Sequence, residues 1–375
     1  MEQALSGVRV LDLTTHVSGP YCTKMLGGFG AEVIKVEDPR GGDPARRWGP
    51  FPGDVPHPEK SGLFLHLNLN KKGITLNLRS ATGRKIFLDL LGTADILVES
   101  LTPREREEFG LEYSNLEKVN PKLVHTSVTP FGATGPYRDY KATDIIVFAM
   151  GGEMLSRGHP DREPLSLAPN SVLYQTGMLA AVGTMGAFYA VEQLGRGQHL
   201  DLSLMELLVS SEDGSSDSLV AYQFTGETRP RTVEGIRGFP HRIYPCADGY
   251  VYLWGNGYWP QAVAMLEMPE LLNDPRFCTV EAQGQLGHAE EFETIILPWL
   301  MARTVRDIMK KADEVGFKCA PVNNPLDVLP DPHLQARGIW AEVEHPAMGK
   351  VRVPGRPVLM GPSGEGWQVS RPSPL

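Results

Sequence analysis

Short apolar runs bounded by turn residues dominate the first half of the chain. Val8 to Leu13 reads as a strand, THVSGP as a loop, and Pro20 suits the first turn of a helix ending near Gly27. Gly30 then frees the chain for a second strand, AEVIKVE. This order predicts a right-handed βαβ unit. LNLNKKGITLNL (67–78) reads as two short strands around Lys71, Lys72 and Gly73, with Ile74, Leu76 and Leu78 alternating on one buried face. A helix over Ala81–Leu91 and a strand over Ile96–Val98 repeat the pattern, and Ser100–Glu108 opens a helix near Pro103. Leu123–Val128 is a strand, and Asp144–Met150 is a helix. The stretch PLSLAPNSVLYQTG (164–177) leads into an apolar helix, Met178–Val191, whose Ala180, Ala181, Gly183, Thr184 and Ala187 allow close packing. HLDLSL (199–204) alternates as a strand, and Ser203 with Glu206 fits a capping box.

The pattern changes at SEDGSSDS (211–218), where acidic and small residues mark a linker out of the first lobe. Beyond it come a strand, GYVYLW, and helices near 258–267 and 287–301. Thr304 and Asp307 cap a further helix that Gly316 ends. The tail SRPSPL is expected to fray.

Composition narrows the function classes. A chain of 375 residues, 41% hydrophobic and 22% charged, fits a soluble two-lobed protein. A net charge of -9 argues against non-specific nucleic-acid binding. Cys22, Cys246, Cys278 and Cys319 form no CxxC pair, which fits a reducing cytoplasm and suggests neither a zinc site nor a disulfide framework. No signal peptide is visible, and the apolar segment 176–191 is too short for a membrane span. GxSxG, HExxH and a P-loop lysine are absent, and the histidines do not cluster at metal-ligand spacing. Glu37 ends the second strand as in a dinucleotide site, but the preceding loop lacks GxGxxG. EDPRGGDPARRW (37–48) carries Arg40, Arg46 and Arg47. It reads either as a solvated loop or as an anion site, since guanidinium forks suit phosphate oxygens.

LSGVRVLDLT, the H-x-x-G-P of His16 to Pro20, GAEVIKVEDPRGGD, LNLNKKGITLNL, FGATGPYRDY, GRGQHLDLSLMELL, ADGYVYL, NDPRF, PVNNPLDVLPDPHLQARG and EVEHPAMGKVRVPGRPV, taken in order, resemble the family III CoA-transferases (the CaiB/BaiF family). The resemblance covers nearly the whole chain. It implies an α/β fold: a large Rossmann-like lobe with an inserted smaller α+β lobe, in an interlocked dimer. The large lobe would take residues 1–210 and 326–375, with the linker and small lobe at 211–325. It also implies coenzyme A or an acyl-CoA as substrate or ligand, a carboxylic acid as co-substrate, and no permanently bound cofactor. By position, His16, Val17, Arg40, Leu76 and Lys141 would contact CoA, with Arg46 and Arg47 as substitutes for Arg40.

The family's chemistry needs an aspartate that attacks the thioester, nine residues after the proline of the 164–177 segment and four before its glycine. Counting from Pro164 and from Gly177 both give Leu173. Leucine has no nucleophilic group. The family's asparagine and phenylalanine after the strand Ile96–Val98 fall on Ser100 and Leu101, and a CoA-facing arginine falls on Glu108, with Arg104 and Arg106 nearby. The small lobe's glycine-rich loop is reduced to Gly235 and Gly238. The racemase branch needs a histidine and an aspartate where this chain has Thr143 and Leu173, so its α-proton chemistry fits worse. The reading is therefore a CoA-binding subunit of a hetero-oligomeric CoA-transferase that lacks the nucleophile itself. The alternative is an active transferase using Asp144, Asp161 or a partner's acid. Racemase, isomerase or lyase chemistry on an acyl-CoA stands behind both.

Overall fold

The computed structural model describes residues 3–211, 213–228, 231, 239–285, 287–360, 367 and 369–375. Gly235 and Gly238 lie outside the described residues. The chain divides into two compact units. The first gathers Met1–Gly158, Arg162–Arg231 and Arg337–Leu375, and the second holds His159–Asp161 and Thr232–Ala336. These bounds differ from the expected divisions after 210 and 325. Residues 213–218, within the stretch read as a linker, are helical, since Ser and Asp cost a helix only tenths of a kcal/mol each.

The first unit is built on six parallel strands: β1 (Arg9–Leu13), β2 (Glu32–Glu37), β3 (Lys71–Thr75), β4 (Ile96–Glu99), β5 (Val124–Thr129) and β6 (Gln198–Ser203). Their spatial order is β3-β2-β1-β4-β5-β6. The central strands are apolar on both faces, with Val10, Leu11, Ile96, Leu97 and Val124 fully buried, as a sheet covered by helices on both sides requires. Chain direction across the sheet reverses between β1 and β4, so the crevice beyond their carboxyl ends is the expected ligand position of such a fold.

Nine helices of this unit bear on the argument: α1 (Ser18–Gly28), α2 (Gly62–Leu67), α3 (Ala81–Leu91), α4 (Pro103–Phe109), α5 (Tyr113–Val119), α6 (Asp144–Met150), α7 (Ser171–Leu194), α8 (Leu204–Ser211) and α9 (Asp213–Thr225). One core layer joins α1, α6, α7 and α8 to the sheet through Cys22, Leu26, Val147, Phe148, Ala180 and Leu208. The other holds Phe87, Leu91 and Leu116 against Leu11 and Leu97. Helix α7 starts earlier than the apolar run suggested, so Leu173 lies in its first turn. It crosses α1 so closely that a Cβ on Gly177 would stand 2.6 Å from the Ser18 carbonyl oxygen.

Two local expectations are corrected. Of the two strands expected in 67–78, only Lys71–Thr75 forms. Leu67 closes α2, whose start Ser61 caps by accepting the Phe64 N–H at 3.0 Å. The tail is not frayed along its length, since the Asn70 N–H donates to the Ser370 carbonyl at 3.0 Å and the Ser373 N–H to the Lys71 carbonyl at 3.3 Å. The remaining strands of this unit, β10 (Trp340–His345) and β11 (Gly349–Pro354), pair antiparallel.

The second unit is α+β. Its strands β7 (His241–Pro245), β8 (Tyr250–Trp254) and β9 (Lys318–Pro321) form an antiparallel sheet. Its helices include α10 (Trp259–Leu266), α11 (Val280–Gln283), α12 (His288–Met301) and α13 (Val305–Val315). Phe277, Phe292, Ile296 and Leu300 centre its core. The expected Thr304–Asp307 capping box is present, and Gly316 ends α13 at φ 68°.

Candidate functional site

The loop after β1 is held by a buried charge cluster. Lys71 Nζ lies 2.9 Å and Lys35 Nζ 4.0 Å from the Asp12 carboxylate, and Lys35 Nζ pairs with Asp43 at 2.8 Å. The Thr23 hydroxyl donates to Asp12 at 2.6 Å, and Lys35 Nζ to the Thr14 carbonyl at 2.9 Å. Burial alone would raise the Asp12 carboxyl, but Lys35, Lys71 and the two threonines outweigh it and hold it well below the usual carboxylate range. Asp43 in turn accepts the His16 N–H at 3.0 Å. That bond steadies His16 at φ 70°, a left-handed backbone uncommon for a residue with a side chain.

Beyond this loop opens a cavity of about 480 Å³. Its walls include His16, Val17, Ser18, Gly19, Trp48, Ser100, Thr143, Asp144, Asn170 and Leu173. Three helices begin at it. Ser18 opens α1, Asp144 opens α6, and Asn170 precedes α7. None of the three N-cap side chains caps its own helix, so first-turn N–H groups remain for an anionic or polarised oxygen. Asp144 is the one carboxylate among the described lining residues, and its Oδ2 accepts the Asn170 N–H at 3.0 Å. Leu173 is half-buried and packs on the α1–α7 core. The arrangement can stabilise developing negative charge, but at position 173 it offers only hydrocarbon.

Arg40, Leu76, Arg104 and Lys141 fall into two adjoining cavities. One, of about 190 Å³, shares Thr15 with the first and is lined by Arg40, Leu76 and Arg79. The other, of about 860 Å³, shares Ser100, Pro130 and Ala142 with the first and is lined by Arg104, Arg138 and Lys141. Arg40 is exposed and bonded to Asp38 at 2.6 Å. Arg46 cannot stand in for it: the guanidinium is fully buried, held by Glu37 at 2.8 Å and Glu59 at 2.9 Å. These bonds also occupy the Glu37 carboxylate that suggested a dinucleotide site. Arg47 is exposed and donates to the Gly41 carbonyl at 3.0 Å. Arg106 cannot offset Glu108, because it is buried against Glu99 at 3.0 Å. Arg79 pairs with Glu108 instead, at 2.6 Å. Asp161 belongs to the second unit, with an exposed carboxylate 3.7 Å from His159 Nδ1.

Arg79 and Arg138 were not anticipated. Arg79 follows the third strand, where a basic residue past the strand's carboxyl end was a usable signal. Arg138 lies within a loop read only for its glycines. Among the described residues, no group of three or more His, Cys, Asp or Glu is placed to hold a metal ion, and no helix is long and apolar enough to cross a membrane.

Residues 5–375 match the family described as CoA-transferase family III. The succinyl-CoA–D-citramalate CoA-transferase of Chloroflexus aurantiacus is 33% identical over 353 residues, covering 93% of this chain and 86% of the relative. The alpha subunit of succinyl-CoA–L-malate CoA-transferase from the same organism is 32% identical over 358 residues, covering 93% of this chain and 81% of that subunit. A CaiB/BaiF family protein from Brucella suis superposes with a TM-score of 0.88 at 26% identity, covering 100% of this chain and 97% of the other. A doubly wound sheet with its cavities at the strand-order switch, and a match running almost from end to end, place this chain in CoA-transferase family III.

Proposed function

We propose that this chain binds coenzyme A or an acyl-CoA as one subunit of a hetero-oligomeric CoA-transferase whose nucleophile lies on a partner chain of the same fold. The observation that carries the reading is Leu173, which lines the cavity where three helix N-termini meet. An apolar side chain there cannot attack a thioester. The similarity to an alpha subunit of a two-component transferase supports an assembly of unlike chains. An interlocked pair in the cytoplasm, with no permanent cofactor, completes the proposal. Arg40, Arg79, Arg104, Arg138 and Lys141 are the cations along the adjoining cavities suited to the phosphates of CoA, and His16 and Val17 offer backbone and side chain beside the thioester end.

Calorimetric titration with CoA tests the ligand. Arg79→Ala and Arg40→Ala should each weaken binding about tenfold, the loss of one charge-assisted contact. No binding at millimolar CoA would defeat the proposal. Co-expression with a paralogue bearing aspartate at the family position should give a mixed assembly by native mass spectrometry. Its activity should vanish when that aspartate is replaced.

A second reading rests on Asp144, the carboxylate on the same cavity wall. In it the homo-oligomer transfers CoA unaided through Asp144, or through Asp161. Incubation with acyl-CoA, hydroxylamine trapping and peptide mass spectrometry separate the two: an adduct on Asp144 or Asp161 establishes the second reading and ends the first.

A further inference from the structure

Away from these cavities, one buried lysine has no acid beside it among the described residues. Three described lysines are buried: Lys24, Lys35 and Lys71. Lys35 and Lys71 each have a carboxylate oxygen within 2.9 Å. Lys24, on α1, is 3% exposed, and its hydrogen-bond partner is the His66 ring of α2, with Nζ 3.3 Å from each ring nitrogen. Among the described residues no carboxylate stands within ion-pair distance of it. Two phenols wall the pair. Tyr21, one turn earlier on α1, has its ring centroid 5.6 Å from Nζ, and Tyr174 of α7 meets Tyr21 edge-on at 4.9 Å. The His66 ring lies 6.4 Å from Tyr21 and 6.1 Å from Tyr174. Both tyrosines and His66 are half-buried, so this group of rings between α1, α2 and α7 reaches the surface.

A buried ammonium facing an imidazole is costly to leave without an anion. Burial, and then the charge of Lys71, pushes Lys24 down to about 7. Burial, and then Lys24, pushes His66 down to about 4. An anion seated here would accept from the ammonium and from an imidazole N–H at once, and so favour protonation of both. The flanking rings leave a narrow slot that suits a planar group such as a carboxylate better than a tetrahedral one.

We propose that Lys24 and His66, walled by Tyr21 and Tyr174, form a receptor for a carboxylate supplied from outside this chain. The source is a free carboxylic acid or an acidic side chain of a second chain. The inference rests on this cleft and not on CoA binding. The calorimetric titration reads other cavities, so the two proposals fail separately.

The test follows the His66 ring and the Lys24 ε-methylene by NMR on the full chain, across pH. Sodium acetate and sodium succinate are compared with sodium chloride at equal ionic strength. Signals are assigned with Lys24→Met and His66→Gln, and the decisive readings come from the unsubstituted protein, whether or not those variants fold. If the carboxylate is free, acetate or succinate raises both midpoints where chloride does not. Tenfold tighter binding to the protonated pair moves them by about one pH unit, and Lys24→Met abolishes the response of His66. If the acid belongs to a second chain, both midpoints already stand above the ordinary lysine and histidine values in the assembled protein, and added carboxylate moves them no further. Midpoints at or below the ordinary values that do not respond to carboxylate overturn the proposal. So does an equal response to chloride.

Discussion

The Asp144 carboxylate accepts the backbone N–H of Asn170 at 3.0 Å and so ties the first turn of α6 to the entry of α7. Asn170 sits at φ 66° immediately before that helix, three residues ahead of Leu173. The one carboxylate on the described cavity wall is thus already engaged in holding the wall together. Asp144→Ala should cost about 1 kcal/mol in urea unfolding, as loss of a helix cap does, while Asp144→Asn, which keeps an acceptor oxygen, should cost less. The same pair separates structure from chemistry: transfer activity of a mixed assembly should survive Asp144→Asn.

Leu173→Asp introduces a carboxylate where the proposed function puts the missing nucleophile. It should yield a hydroxylamine-sensitive adduct at position 173 on incubation with an acyl-CoA, seen by peptide mass spectrometry and absent from the unsubstituted chain. Leu173 is half-buried, so the exchange should cost about 1–2 kcal/mol, below the value for a fully buried leucine. A folded variant that binds CoA and forms no adduct would show that position 173 does not face the thioester.

Gly177→Ala brings two opposing effects into conflict. Alanine favours a helix over glycine by about 1 kcal/mol. The added Cβ, however, would stand 2.6 Å from the Ser18 carbonyl oxygen and 3.0 Å from Tyr21 Cβ, and backbone cannot swing aside as a side-chain tip can. The clash should win, with a net loss of about 1–3 kcal/mol, the usual range for overpacking. Denaturant midpoints of the two proteins decide the sign.

Asp12→Asn removes the anion that Lys71 and Lys35 face inside the sheet. Breaking a buried pair on one side costs about 3–5 kcal/mol. Asp12 is held below its unfolded value, so its contribution is fully present above about pH 4 and is lost as pH falls through the folded value. Stability curves of wild type and Asp12→Asn should therefore run apart at neutral pH and converge in acid.

Much of the architecture was legible along the chain. The helices Ala81–Leu91 and Asp144–Met150 have the ends that the sequence pattern predicts, and β1, β2 and β4 lie within a residue or two of theirs. Periodicity, turn residues and caps act over a few neighbouring positions, which is why these elements could be read. The reading failed where local pattern was ambiguous. Leu67 and Leu69 are both buried, but the first belongs to a helix and the second to the turn after it, so alternation imitated a strand. Small and acidic residues suit loops, yet residues 213–218 are helical, because such residues do not forbid a helix.

That position 173 carries a leucine, between Pro164 and Gly177, was legible in the sequence alone. What surrounds it was not. Asp12 meets Lys71 across 59 positions because β1 and β3 flank β2, and nothing near either residue records that neighbour. Arg40, Arg46 and Arg47 are equivalent as letters in one loop, yet packing buried Arg46 on Glu37 and left Arg40 and Arg47 at the surface. The meeting of three helix starts at one cavity, and of Lys24 with His66 across 42 positions, likewise arose only when the sheet order was set. Element formation depends on short-range preferences carried by each segment. The charge, burial and partner of a side chain depend on which distant segments pack against it.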